Sequence, residues 1–291
     1  MTASTRPSSS AGTWYPGDAR ILSETLNRYL SGGQAHPARG HVRGLIVPHA
    51  GLRYSGAVAG RAFGCLRSQH RELVVVVAPF HNPHNAPILI TDHRAYHTPL
   101  GEVPIDAAAL AAFDQELSAR LGRGPERVLE DTEHSLEIQL PFLQHLLGSF
   151  QLLPVMLVDQ RLRTVREVGA ALAAVCAQHE AENDRVLLVA SSDLSHFYPQ
   201  DRARALDEEL LSRVVAFDPE AVLQAEWEGV GYACGRGAIA AVLFAAERLG
   251  TNHIEIVDYA TSGDVSGDLS SVVGYASAVI WEEEEQKERV A

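Results

Sequence analysis

Sulfur is scarce in this chain: three cysteines and two methionines among 291 residues. Cys65, Cys176 and Cys234 cannot build a disulfide framework, and no signal peptide is visible, so a reducing cytoplasm is the expected compartment. Basic charge is also short, with 24 Lys and Arg against 37 Asp and Glu and a net charge of −13. That balance argues against nucleic-acid and anionic-membrane binding, both of which need a basic face. Long apolar runs are missing as well, and a membrane span would need about 18 such residues. The chain has no HExxH helix, no GxxxxGK phosphate loop and no GxSxG elbow.

What is present is core-forming sequence, at 46% hydrophobic residues. Strand-like runs cover 44–47, 73–78, 87–91, 152–158, 186–190, 253–259 and 271–280. Helical periodicity occupies most of the intervals: a helix capped by Asp18 with Leu22, Leu26 and Leu30 on one face, then 55–66, 106–121, 135–147, 163–181, 201–215, 219–227 and 235–249. This alternation predicts a single α/β domain over 11–281, with a mostly parallel central sheet covered by helices on both faces. Residues 1–10, rich in Ser, Thr and Pro, read as a flexible terminus. Residues 282–291, opening on Glu282–Glu285, read as a solvated acidic tail. The stretch 93–105 lacks helical period and reads as a hairpin or edge excursion beside the site. Gly263–Asp268 reads as a substrate-side or structural loop.

The histidines stand where strands end. Leu45-Ile46-Val47-Pro48 stops at His49-Ala50-Gly51, and Val74–Val77 with Ala78-Pro79 leads to His81. In an open α/β sheet the carboxyl ends of strands form the ligand crevice. The alternative for each is a turn histidine bonded to backbone. Two copies of one pattern favour two imidazoles in one crevice, half a site for Zn, Fe or Cu. His84 is a third ligand or a supporting donor, or faces solvent. Cys234, between glycines and before an Ala-rich helix, completes a His2Cys set, with its thiolate favoured by the helix start and Arg236. Cys65 and Cys176 read as core.

Asp193 and His196 end a third strand. The carboxylate either orients the imidazole, or each acts separately on substrate as acid or base, or Asp193 or Ser195 caps a helix. His134 opens a helix in Glu133-His134-Ser135-Leu136-Glu137, where a positive terminus favours its neutral ring. Trp14 and Tyr54 are candidate pocket aromatics for an aromatic or anionic group.

Trp14-Tyr15-Pro16-Gly17, Val47-Pro48-His49-Ala50-Gly51 with Tyr54-Ser55-Gly56, His81, Glu133–Glu137 with Leu140-Pro141-Phe142, Ser192–His196 and Cys234-Gly235-Arg236 together resemble the Memo family. Its prokaryotic members are also called AmmeMemoRadiSam system protein B. The resemblance runs from residue 11 to about 281. It implies a fold similar to class III (LigB-type) extradiol dioxygenases, with His49, His81 and Cys234 as ligands to iron or copper. It places Asp193, His196 and His134 in the same pocket, and it implies partner proteins of the AmmeMemoRadiSam system. The dioxygenases use a carboxylate where this chain has Cys234.

Three functions follow as expectations. The first is a metal-dependent, dioxygenase-like oxidoreductase with Asp193, His196 and His134 as catalytic residues. The second is a binding module that holds a peptide or small anionic or aromatic ligand without turnover. The third is a zinc hydrolase, since zinc accepts His2Cys plus water.

Overall fold

The run Val74–Val77 is fully buried and lies at the centre of the sheet, as four successive β-branched residues without a solvent face require. The computed structural model describes residues 4–31, 40–67, 69–179 and 186–283. In chain order the elements are β1 (Thr5–Arg6), α1 (Ala19–Ser31), β2 (Gly40–Val47), α2 (Leu52–Gly64) and β3 (Leu73–Pro79). Then come β4 (Ile88–Thr91), β5 (Ala95–Thr98), β6 (Gly101–Pro104), α3 (Ala107–Leu121), β7 (Glu126–Val128), α4 (His134–Glu137) and α5 (Leu140–Leu147). The second half holds β8 (Gln151–Leu157), α6 (Leu162–His179), β9 (Val186–Ser191), β10 (His196–Tyr198), α7 (Gln200–Val215), α8 (Pro219–Trp227), α9 (Arg236–Arg248), β11 (His253–Thr261), α10 (Ser262–Ser266) and β12 (Val272–Glu283).

The main sheet runs β10-β12-β2-β9-β3-β8-β4-β7, with β11 also paired to β12. Its four middle strands, β2, β9, β3 and β8, are parallel. Antiparallel strands extend it on both sides, β12 beside β2 and β4 beside β8. The sheet is therefore parallel at its centre and mixed as a whole. Two helix layers flank it: α9 packs on β3 and β9 together with α6, and α2 packs on β2 and β12 together with α1.

Several expectations need correction. Residues 4–10 are not a loose terminus: β1 adds in parallel to β5, which pairs with β6 in a small separate sheet. Arg6 is buried, binding Asp131 and Glu137 and lying over Tyr96. The expected hairpin over 93–105 is this β5–β6 pair. The expected helix 135–147 is two helices, because Pro141 in the first turn of α5 has no N–H to continue α4. Glu282 and Glu283, expected in the tail, close β12 against β2. The remainder of that tail, and the last two residues of the expected helix 163–181, lie outside the described residues. Gly263–Asp268 is largely helical: Thr261 and Asp264 form a capping box for α10, and Gly267 ends it with φ 79°.

Candidate metal centre

All four parallel strands deliver residues to one place from their carboxyl ends. His49 follows β2 and His81 follows β3, while Ser191 ends β9 and Asp193 lies two residues beyond it. Gln160 follows β8 and holds the Cys234 loop, donating to the Cys234 carbonyl at 2.8 Å and accepting from the Gly237 amide at 2.7 Å. Gly235 lets that loop reach the end of β9: a Cβ there would collide with the Ser191 carbonyl oxygen and come within 2.8 Å of Ser192 Cβ. The result brings ligand atoms of His49, His81 and Cys234 within 4.8 Å of one another.

Both rings have their Nδ1 proton tied to a protein acceptor, which directs Nε2 to a ligand. The Ser191 hydroxyl donates its one proton to the Ser135 carbonyl at 2.6 Å. It must therefore accept from His49 Nδ1, 2.9 Å away, as it does from the Gln139 amide at 2.8 Å. His49 Nε2 is thus a lone-pair acceptor, and it faces Cys234 Sγ at 3.1 Å. Burial, with His134 and His81 as neighbours, pushes the His49 pKa well below its ordinary value and keeps the ring neutral.

Glu133 does for His81 what Ser191 does for His49. One carboxylate oxygen accepts from His81 Nδ1 at 2.9 Å and from the Ser135 amide at 3.0 Å; the other accepts from the His81 amide at 2.6 Å. Burial alone would raise the Glu133 pKa, but these bonds outweigh it and hold the carboxylate down at about 2. His81, 37% exposed, keeps Nε2 for a ligand. Burial opposes its charged form, yet Glu133 raises its pKa overall. A carboxylate behind an imidazole is a recurrent support for metal-bound histidine. Glu133 also caps α4, and its bond to His81, 52 residues upstream, leaves no local mark in the sequence.

The donor set fits a metal: two imidazoles whose Nδ1 protons are tied to protein acceptors, and a thiol within 3.1 Å of His49 Nε2. Burial and nearby Asp193 raise the Cys234 pKa, so helix start and basic neighbour do not make it a thiolate unaided. Arg236 is instead paired with Glu226 at 2.7 Å. Cys65 and Cys176 are buried in the core, as expected.

Asp193 caps no helix and does not bond His196. Its Oδ1 accepts from the amides of His49 at 2.7 Å and Ala50 at 3.2 Å, fixing the turn that carries His49. Burial raises its pKa to about 7. His196 is near enough to His49 and His81 to be felt electrostatically by the one and to feel the other. His134 lies between Trp14 and His81, stacked on them at 4.0 and 5.1 Å, with Nδ1 3.3 Å from Glu133. Burial lowers its pKa. Trp14 is therefore in the cluster, at 38% exposure. Tyr54 stands on the first turn of α2, 37% exposed, and is felt by Tyr275, which also feels Asp193. His84 is turned away, its Nδ1 accepting from the Ala86 amide at 3.1 Å.

An α/β domain with a candidate His2Cys metal centre at its strand ends is the class that fold and site define. The chain belongs to the Memo-like protein family, whose model matches residues 6–279. It is 34% identical to a MEMO1 family protein of Methanopyrus kandleri, over 92% of this chain and 96% of that one. It is 35% identical to a MEMO1 family protein of Methanococcoides burtonii, over 93% and 97%. Among solved structures, an uncharacterized protein of Escherichia coli K12 aligns with TM-score 0.49 and 13% identity, covering 82% of this chain and 99% of that one.

Proposed function

We propose that this protein is a metal-dependent oxidoreductase that holds iron or copper through His49, His81 and Cys234. The observation that carries this is the pair of fixed tautomers. Ser191 and Glu133 each accept the Nδ1–H of one histidine, which leaves both Nε2 atoms for a ligand in a cluster that includes the Cys234 thiol. One thiolate with two imidazoles suits Fe(II) or Cu(I). When bound, the metal supplies a redox-active centre with coordination positions open to exchangeable ligands. The chain's own groups supply the rest. Asp193, with a pKa of about 7, holds or moves a proton at Oδ2, the oxygen not spent on amides. His196 and His134 line the ligand's approach, and the Trp14–His134–His81 stack offers a planar wall.

The test is metal content after anaerobic reconstitution with iron, copper or zinc, followed by dialysis and oxygen uptake with catechols. One iron or copper per chain is expected in the wild type. Cys234→Ala should lose it, and Glu133→Gln should bind it roughly 10–100-fold more weakly. His196→Ala should keep its metal. Equal metal retention in wild type and Cys234→Ala would refute the assignment. Zinc alone, without oxygen uptake, would point to the hydrolase.

A further inference from the structure

Among the described residues, two that are not glycine have positive φ: Phe197 at 65° and Phe217 at 55°. This left-handed region is costly for any residue with a Cβ, and a bulky one persists there only when its surroundings compel it. Phe217, just after α7, recovers the cost by packing its ring on the core. Phe197 recovers nothing visible in the folded chain, since 75% of it is exposed.

The strain comes from a bulge. His196 pairs with Val273 and Tyr198 with Val272, so the register slips at the residue between them. In a regular strand, neighbouring side chains point to opposite faces. Here the rings of His196 and Phe197 lie 5.6 Å apart at 70°, so the bulge has turned Phe197 to the histidine's side. His196 also contacts Tyr232 edge-on at 5.7 Å and is electrostatically linked to His49 and His81. A strained backbone therefore presents an uncovered apolar ring beside His196, which itself lies within electrostatic reach of His49 and His81.

We propose that Phe197 is a specificity-determining residue that covers the planar face of an aromatic anion bound at the His49–His81–Cys234 crevice. The anionic group faces the metal and histidines, and the ring of the ligand lies under Phe197. The ligand supplies the burial that the folded chain does not. This rests on the metal-site reading for its binding test, but the stability test below needs no metal.

Two measurements decide it. The first is the thermal midpoint of the metal-free protein with Phe197→Gly. Glycine is at home at this φ, so the variant should melt at a higher temperature than the wild type. A lower midpoint would show that the ring is structural and would overturn the proposal. The second is titration of the Co(II)-loaded protein with benzoate and with acetate, followed in the visible spectrum. The wild type should bind benzoate at least fivefold more tightly than acetate, and Phe197→Ala and Phe197→Gly should bring the ratio close to one while leaving acetate affinity within twofold. Equal affinities in the wild type, or an unchanged ratio in the variants, would overturn it. If the protein retains no Co(II) after dialysis, the metal-site reading has failed, and the midpoint still decides the role of Phe197.

Discussion

At the scale of single residues, the centre is a set of protons held in fixed places. His49 and His81 carry theirs on Nδ1, and Cys234 carries one on sulfur because burial raises its pKa. Metal binding must expel the thiol proton. A nearby cation also favours the charged form of Asp193, whose buried carboxyl titrates near 7 without it. His81, with its pKa raised by Glu133, adds a proton at low pH. Proton release per metal should therefore be about one near pH 8.5 and exceed one at pH 6. Calorimetry in buffers of different ionisation enthalpy measures it, and a value independent of pH would contradict these assignments. Asp193→Asn should flatten part of the rise. The same carboxyl sets a stability trend. Its folded pKa is raised, so its contribution is fully present below about pH 3.8 and declines as pH climbs through 7. The metal-free protein should lose this contribution between about pH 4 and pH 7, and Asp193→Asn should blunt that loss in thermal melts.

At the scale of elements, the short helix α4 matters beyond its length. Its last residue, Glu137, is wholly buried and accepts from Arg6, Ser8, Ser9, Ser10 and Tyr15. Its cap is Glu133 and its first residue is His134. The N-terminal segment thus fixes the element that supports His81. Arg6→Ala would leave Glu137 and Asp131 buried without their counter-charge and should cost about 3–5 kcal/mol in urea denaturation. A loss under 1 kcal/mol would mean that the serines suffice. The Glu137 pKa is lowered by those partners against its burial, so this node's contribution is held above the ordinary carboxylate range and lost as pH falls below it. Sequence could not show any of this. The partners of Arg6 lie 125 and 131 residues away, and Ser-Ser-Ser reads as a loose end by composition alone. The strand ends were legible because a buried run stopped by proline is a local signal. The Phe197 bulge was not, because backbone handedness leaves no mark on a residue other than glycine or asparagine.

At the scale of the molecule, the parallel centre was readable from alternation, whereas the antiparallel margins were not, since pairing direction depends on which edge a late strand finds. The net charge of −13 belongs to the whole chain and bears on partners. Duplex DNA at moderate salt should show no measurable binding in a fluorescence titration; tight binding with steep salt dependence would require a phosphate-tracking face that this surface lacks charge to provide. No helix among the described residues is long and apolar enough to cross a membrane.

His49 and Cys234 meet across 185 residues of chain. A ribosome therefore exposes both histidines long before the thiol emerges. β12, which zips onto β2 through Ile46–Ala278 and Gly40–Glu283, is made later still. Before Glu133 and Ser191 are made, neither ring has the acceptor that fixes its Nδ1 proton, so the pair takes its final geometry only when β9 joins the sheet, and the sulfur comes in after that. On the proposed reading, metal loading is thus a step that follows synthesis, and metal supplied after translation should be retained better than metal present only during it.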